Sequence, residues 1–279
     1  MYILAIETTG PFGSVCLINE NRKPLAYEVT TEEMSHMKNL IPMCDAALKK
    51  AGIEKKDLTH IACSIGPGSF TGVRVGVSTA RALAQVLNLP AIPVGTLDAF
   101  TKKECETRYI SAILNARRGQ VYGMVYDLEK DVYLLKPSAV MLIDVLNCIK
   151  ENDISNEITF FGDGIDAYFE KDLPAKALGM TDSEYQLFNS LRNIRTASKE
   201  KRYQDANSVA KLATELDECN YLDLIPEYMR QAEAERKLAE KIKAVINGSP
   251  DAFDDVPEKT FTYDEMLGGL MKLYEELLA

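Results

Sequence analysis

Residues 65–76 read Ile65-Gly66-Pro67-Gly68-Ser69-Phe70-Thr71-Gly72-Val73-Arg74-Val75-Gly76. An apolar, strand-like run (58–65) leads into this stretch, and a helix-like run continues from it to about residue 87. A glycine-rich loop between a strand and a helix indicates that something approaches the backbone closely, either a phosphate or another helix. The two interpretations imply different functions.

The common nucleotide-binding motifs do not fit this loop. A Walker A loop needs Lys and then Ser or Thr after its last glycine, whereas Val73 and Arg74 follow Gly72. The dinucleotide motif G-x-G-x-x-G has two residues before its last glycine, whereas three residues separate Gly68 from Gly72. Gly72 and Gly76 are four residues apart and so share a helix face, which favours close packing within the chain or against another protein.

Composition limits the classes of protein to consider. The chain has 279 residues, 46% of them hydrophobic, which is enough for a large domain or two medium ones. No apolar run reaches the length of a membrane span, and the N-terminus lacks the features of a signal peptide. Six scattered cysteines without a C-x-x-C motif predict a reduced, cytoplasmic protein. A net charge of −10 predicts that any contact with nucleic acid is mainly indirect, through a basic partner.

The residues that hydrolases use are sparse. Only two histidines occur, His36 and His60, and they lie in different predicted elements. The sequence contains neither H-E-x-x-H nor a G-x-S-x-G elbow, which argues against a zinc peptidase and against a serine hydrolase. We therefore expect no catalytic residues and no metal site.

The chain contains a repeated pattern. Residues 2–18 and 109–126 each show a strand, a polar turn with glycine, and a returning strand, which suggests a duplicated unit that opens each of two domains. Periodicity predicts further elements around these hairpins. The predicted strands are 24–30, 58–65, 90–94 and 158–161, and the predicted helices are 35–51, 71–87, 139–150, 205–218 and 231–246.

Four segments of the sequence resemble the TsaB family, also called YeaZ. They are Ile3-Leu4-Ala5-Ile6-Glu7-Thr8, the loop 65–76, Asn115-Ala116-Arg117-Arg118-Gly119-Gln120-Val121-Tyr122, and Pro226-Glu227-Tyr228-Met229-Arg230. The resemblance covers about residues 1–245. It implies an α/β, actin/sugar-kinase-like (ASKHA) fold of two duplicated lobes, each a mixed sheet flanked by helices.

The resemblance and the repeat together predict the domain limits. An N-terminal lobe with partner-binding helices spans 1–104, a C-terminal lobe spans 105–204, and C-terminal helices that pack back on the lobes span 205–248. The tail 249–279 carries eight acidic and two basic residues. We interpret this tail as a solvated appendage or a docking helix.

The resemblance implies a role in making threonylcarbamoyladenosine on tRNA, at the adenosine next to the anticodon. The family member TsaD performs the transfer, and TsaB is its non-catalytic partner and activator in a complex that also contains TsaE. The contact with TsaD is expected through helices 35–51 and 71–87 in a four-helix bundle, and without TsaD the same face is expected to form a homodimer. The expected interface residues are Met37, Leu40, Ile41, Cys44, Gly72, Val75, Gly76, Thr79 and Leu83.

Departures from nucleotide-binding relatives favour the non-catalytic interpretation. Glu7 and Asn115 stand where such relatives have metal-binding aspartates, and Thr96 and Phe100 stand where TsaD has two metal-binding histidines. We expect no cofactor in the isolated chain, and at most ATP or ADP at the joint with TsaD. The expected vestigial nucleotide site comprises Glu7, Thr8, Asn115, Arg117, Gly162, Asp163 and Gly164.

Two alternatives stay open on sequence alone. The glycine loop and the turn 162–164 also suit an independent nucleotide-dependent enzyme of the kinase or ATPase type. A peptidase is the third hypothesis, because some relatives carry a glycoprotease name.

Overall fold

The first half of the chain forms a five-stranded mixed sheet. The computed structural model describes residues 1–30 and 36–229, with the backbone alone at 36–38. The strand order is β3-β2-β1-β4-β5, with β1–β2–β3 antiparallel and β1–β4–β5 parallel. The strands are β1 (Tyr2–Glu7), β2 (Ser14–Asn19), β3 (Pro24–Val29), β4 (His60–Gly66) and β5 (Ala91–Gly95).

A second sheet repeats this topology. Its order is β8-β7-β6-β9-β10, again with an antiparallel hairpin that is joined to parallel strands on the other side. Strands β1 to β5 therefore correspond one by one to β6 to β10, and the predicted α/β fold of two duplicated lobes is confirmed. The strands are β6 (Tyr109–Asn115), β7 (Gln120–Asp127), β8 (Val132–Met141), β9 (Ile158–Phe161) and β10 (Arg195–Thr196).

Helices cover both faces of the first sheet. On one face, α1 (His36–Ala51) and α2 (Phe70–Leu87) bury an apolar stripe in a common core. On the other face, α7 (Ala206–Ala213) packs against β1, β2, β4 and β5. The apolar cluster on each face takes alternate residues of the strands, as expected for a sheet that is covered on both faces.

The second lobe has its own core. Its helix α4 (Leu142–Glu151) packs on β7 and β8, and α6 (Asp182–Ser190) packs beside α4. The shorter helices are α3 (Thr96–Ala99), α5 (Ala175–Leu178), a π turn (Ile165–Phe169) and the 3₁₀ turns Lys55–Asp57, Phe100–Lys102 and Tyr221–Asp223. Among the described helices, none has the length and apolar character that crossing a membrane requires.

Some predicted elements need correction. The helix predicted at 139–150 begins only at Leu142, because β8 runs to Met141 and pairs with β7. The helix predicted at 205–218 ends at Ala213. The helix predicted at 231–246 and the tail 249–279 lie outside the described residues. The lobe limits at 104, 204 and 248 stay predictions.

Candidate functional site

The glycines of the loop 65–76 pack against the turn that follows β1. A side chain on Gly72 would overlap the carbonyl oxygen of Thr8, and one on Gly76 would overlap the Thr8 hydroxyl. A Cβ atom on Gly68 would lie 2.6 Å from Cβ of Thr9. The close approach that these glycines permit is therefore an approach within the chain.

Hydrogen bonds hold this contact together. The Thr8 hydroxyl donates to the Gly72 carbonyl oxygen at 2.7 Å, and the Ser69 amide donates to the Thr9 carbonyl oxygen at 2.8 Å. The Ser69 hydroxyl accepts from the Gly72 amide at 3.3 Å and so caps α2, as expected for a serine at this position. The amides of Ser69 and Gly72, which a phosphate in this loop could otherwise contact, are thus bonded to the chain itself.

The carboxylate of Glu7 is buried beneath this turn. It accepts hydrogen bonds from the Ser64 hydroxyl and from the Thr9 amide. Burial raises the pKa of Glu7, and the bonds from Ser64 and Thr9 offset part of that rise. Among the described residues, no cation forms an ion pair with Glu7. Glu7, which the sequence resemblance predicts to match a metal-binding aspartate, is therefore a buried, structural carboxyl group.

The second predicted cluster is built in the same way around the end of β6. Side chains on Gly162, where φ is +97°, and on Gly164 would press on the Ile113 carbonyl oxygen. The Asn115 amide donates to Asp163 Oδ1 at 3.0 Å. Burial raises the pKa of Asp163. The turn 162–164 thus follows β9 and wraps β6, just as the loop 65–76 follows β4 and wraps β1.

The side chain of Asn115 shapes its own turn. Its Oδ1 accepts from the Arg117 amide at 2.8 Å and from the Tyr168 hydroxyl at 2.9 Å. Arg117 itself is exposed and has a φ of +67°. An amide oxygen with two donors already in place offers little to a metal ion.

Residues 202–205, here called the strap, connect the two clusters. The Gly162 amide donates to the Arg202 carbonyl oxygen at 2.7 Å, which ties the strap to the second lobe. The Tyr203 ring packs on Phe12 with centroids 5.4 Å apart, and a Cβ atom on Gly10 would lie 2.6 Å from Gln204 Oε1. The strap therefore contacts the first hairpin turn and the second glycine turn at once.

Ion pairs fix the ends of the strap. The Arg202 side chain is buried and pairs with Asp166 at 2.8 Å and with Glu170 at 2.6 Å. At the other end, the Lys103 ammonium pairs with Asp205, whose second oxygen caps α7 through the Ser208 amide at 2.8 Å. The strap is thus bonded at Arg202, Tyr203 and Asp205, whereas the buried Oε1 of Gln204 has no hydrogen-bond partner among the described residues.

The predicted partner-binding set lies only partly at the surface of the chain. Leu40, Cys44, Gly72 and Gly76 are buried in the core of the chain itself, so they offer little surface, and their part in partner binding stays a prediction. Their burial follows from the helix faces, which turn their small and apolar residues toward the sheet. Val75, Thr79 and Leu83 are half-buried, and the side chain of Met37 lies outside the described part. Ile41 alone of the set is well exposed, at 53%.

The surface of α2 is a different row of residues. Every fourth position is exposed, which forms a ridge along the helix that we call the outer ridge. It contains Phe70, Arg74, Ser78, Ala82 and Val86. Val86 is 82% exposed, and the small side chains of Ser78 and Ala82 protrude little in the middle of the ridge. Arg74 is the one cation among these five residues, and Ile41 on α1 is a further exposed apolar residue on the same side of the first sheet.

The two positions that the resemblance predicts to match histidines of TsaD are part of the core. Thr96 is buried, and its hydroxyl lies 3.4 Å from that of Thr9. Phe100 is also buried, and its ring centroid lies 6.2 Å from that of Phe161. Within residues 1–30 and 36–229, no three acidic, histidine or cysteine side chains gather as a metal site would need.

Several residues that define the site carried no local sequence signal. Ser64, Thr9 and Arg202 became visible only through contacts with residues far away in the chain. His60, by contrast, is a structural residue as expected, with its ring nitrogens 2.8 Å from the Thr59 hydroxyl and 2.7 Å from Glu218.

Comparison with known proteins gives matches to the TsaD family model and to TsaB proteins. The family model described as TsaD, tRNA N6-adenosine threonylcarbamoyltransferase, matches residues 30–238. The tRNA threonylcarbamoyladenosine biosynthesis protein TsaB of Bacillus subtilis is 30% identical over 246 residues, 87% of this chain and 100% of that protein. TsaB of Escherichia coli is 36% identical over 135 residues, 47% of this chain and 57% of that protein.

Solved structures agree at the level of the fold. YeaZ from Pseudomonas aeruginosa, 20% identical, superposes with a TM-score of 0.60 over 81% of this chain and 100% of that chain. Another Pseudomonas aeruginosa structure, described as similar to peptidase YeaZ, is also 20% identical and gives 0.65 over 82% and 99%. The TsaD model thus matches most of this chain, and TsaB of Bacillus subtilis is matched over its whole length. The chain belongs to the TsaB (YeaZ) family.

Proposed function

We propose that this chain is a non-catalytic partner and activator of TsaD in making threonylcarbamoyladenosine on tRNA. One observation carries the proposal: the turn after β1 is already filled. Glu7 is buried under Ser64 and Thr9, and glycines of the following helix press on Thr8. A chain that uses these groups for its own packing leaves the chemistry to another subunit.

The exposed surface supports a partner of similar architecture. The outer ridge of α2 and Ile41 on α1 form an open helical face. Ridges of every fourth residue interlock with the grooves of another helix pair, and small residues such as Ser78 and Ala82 allow a close approach. TsaD is the expected occupant, because the TsaD family model matches residues 30–238 of this chain and so describes comparable helices.

The other partners follow from this arrangement. A second copy of the chain is expected to cover the same face when TsaD is missing, as a homodimer. TsaE and tRNA are proposed to be reached through TsaD, since a chain with a net charge of −10 repels tRNA. The isolated chain is proposed to bind no nucleotide, and any ATP or ADP is proposed to lie at the joint with TsaD.

The test is co-purification with TsaD of the same organism. Ile41→Glu and Val86→Glu each place a charge on the open face, and both are expected to abolish capture of TsaD. The matched control is Val132→Glu, since Val132 is a similarly apolar residue with 45% exposure on β8 of the other lobe. This control should bind as the unchanged chain does.

Activity gives the second readout. A mixture of TsaD, TsaE and this chain, supplied with an activated threonylcarbamoyl donor, is expected to transfer the threonylcarbamoyl group from that donor to tRNA. The two face variants should lower that rate in parallel with binding. This chain without TsaD should give no transfer. Transfer by the chain alone would refute the proposal.

A further inference from the structure

Arg74 on the outer ridge is held in one orientation by two aromatic side chains. Its guanidinium carbon lies 3.8 Å from the centroid of the Phe70 ring and 5.9 Å from that of Tyr228. Its Nε donates to the Tyr228 hydroxyl at 2.9 Å. The stacking and the hydrogen bond together fix the plane of the guanidinium group.

The aromatic residue from the distant part of the chain is itself anchored. Leu224 is fully buried, and the Glu227 amide donates to the Ile65 carbonyl oxygen at 2.7 Å. The carbonyl oxygen of Glu227 occupies the space where Gly66, with a φ of +122°, lacks a side chain. The segment that carries Tyr228 is thus held against the glycine loop by the hydrogen bond to Ile65. Gly66 is required there because a side chain would clash with the Glu227 carbonyl oxygen.

The terminal nitrogens of Arg74 have no partner among the described residues. Nε is the only nitrogen of this side chain with a hydrogen bond to a described group, and no described carboxylate forms an ion pair with it. Arg74 is exposed, and the rings beside it are 41% and 43% exposed. An immobilised guanidinium between exposed rings is typical of the centre of a protein interface, where Arg and Tyr contribute most of the binding energy.

The chemistry of the missing partner follows from charge and geometry. The two terminal nitrogens form a planar fork that matches the two oxygens of a carboxylate. A nucleic-acid backbone fits less well, because the chain has a net charge of −10 and Arg74 is the one cation among the five residues of the outer ridge. Arg74 also belongs to the face that is proposed to bind TsaD.

We propose that Arg74 receives a carboxylate side chain of TsaD in a two-pronged ion pair, with Phe70 and Tyr228 as the residues that position it. This inference rests on the proposed function and adds the polar anchor that fixes the register of the helix contact. Because the guanidinium is oriented before binding, little side-chain entropy is lost when the carboxylate arrives.

The test measures the affinity of the full chain for TsaD by calorimetry at low and at high salt. Arg74→Ala is expected to weaken binding by at least about tenfold. Arg74→Lys keeps the charge but loses the planar fork, so roughly the same loss is expected. Added salt should weaken binding of the unchanged chain more than binding of Arg74→Ala, because the variant has no ion pair to screen.

Two further variants separate positioning from charge and from folding. Tyr228→Phe keeps the ring but removes the hydroxyl, and a loss of about threefold is expected. Arg192→Ala is the control, since Arg192 is a half-buried arginine of the other lobe that pairs with the exposed Asp172 at 3.0 Å, and the affinity of this variant should stay within about twofold. Thermal unfolding of all variants checks that Arg74→Ala remains folded.

The outcomes are distinct. Normal binding of TsaD by both Arg74→Ala and Arg74→Lys would overturn this inference and leave the proposed function intact. Absence of binding by the unchanged chain would overturn both. A gel shift of single-stranded RNA that depends on Arg74 would show that the partner is a nucleic acid and would also overturn the inference.

Discussion

The hydroxyl of Thr8 donates a hydrogen bond of 2.7 Å to the carbonyl oxygen of Gly72, which joins the end of β1 to the first turn of α2. The backbone of Thr8 also fills the space beside Gly72 that any side chain would need. Helix α2 can sit so close to β1 only because this position and Gly76 carry no side chain. The glycine-rich loop therefore has a packing explanation that involves no bound phosphate.

The first prediction concerns that contact. Gly72→Ala would place a methyl group on the Thr8 carbonyl oxygen, so we expect a loss of about 2 kcal/mol or more in the free energy of unfolding. Ser78→Ala on the exposed side of the same helix should change it by less than about 0.5 kcal/mol. Urea denaturation measures both, and equal stability of the two variants would contradict the packing explanation.

The second prediction concerns the buried carboxylate. Burial raises the pKa of Glu7 in the folded state above its ordinary value of 4.5. At a pH between 4.5 and the raised pKa, the folded state therefore keeps a proton that the unfolded state has released. The stability that Glu7 contributes through this proton is complete below pH 4.5 and is lost as the pH rises through the raised pKa. Glu7→Gln removes this titration, and the variant should gain stability relative to the unchanged chain as the pH rises.

Denaturation at about pH 5 and about pH 8 checks this expectation. Glu20→Gln is the control, because the N-terminal ammonium lowers the pKa of this exposed residue, so its replacement should produce no such gain at higher pH. An identical pH dependence for Glu7→Gln and the unchanged chain would contradict the assignment of a buried carboxyl.

The third prediction concerns the strap. Arg202→Ala leaves Asp166 and Glu170 without their buried cation and removes a donor to the Ala197 carbonyl oxygen, so we expect a loss of at least about 2 kcal/mol in the free energy of unfolding. Arg192→Ala breaks an exposed pair and should cost less than about 1 kcal/mol. The pKa of Glu170, which Arg202 lowers, should rise in the Arg202 variant. A pKa measured by NMR that stays unchanged would argue against the pair.

The fourth prediction concerns nucleotides. We expect no heat of binding when Mg²⁺ and ATP are titrated into the isolated chain, because Glu7 is sealed and the Asn115 side-chain oxygen already has two donors. Addition of TsaD to the same cell is the comparison, since the proposal places any nucleotide at the joint. Micromolar binding with turnover by the isolated chain would support the kinase-like alternative instead.

The fold was predictable wherever a segment buries one complete face. The two hairpins, β4 and α2 follow directly from alternation, helical periodicity and the Ser69 cap. Strand β8 was missed because it is only partly buried and contains Lys136 and Pro137, which weaken its pattern. Helix α6 was also missed, although Thr181 and Glu184 form a capping box that the sequence displays.

The candidate site was predictable in its members but not in its contacts. The sequence pointed to Glu7 and Gly72, yet the reason for both lies in partners 57 and 64 residues away. Helical spacing places Gly72 and Gly76 on one face, but only the position of Thr8 shows that this face looks inward. Local patterns do not contain that information, because it depends on how strand and helix meet.

The strap has a consequence for motion. Enzymes of two-lobed folds commonly shut around a substrate by a hinge, which would require the turn at Gly10 to shift relative to the turn at Gly162. Here the Tyr203 ring packs on Phe12 while the carbonyl oxygen of Arg202, one residue earlier, accepts from the Gly162 amide, so any such swing would break at least one of these contacts. The relative position of the two turns is therefore fixed before any partner binds, and the chain presents a preformed surface.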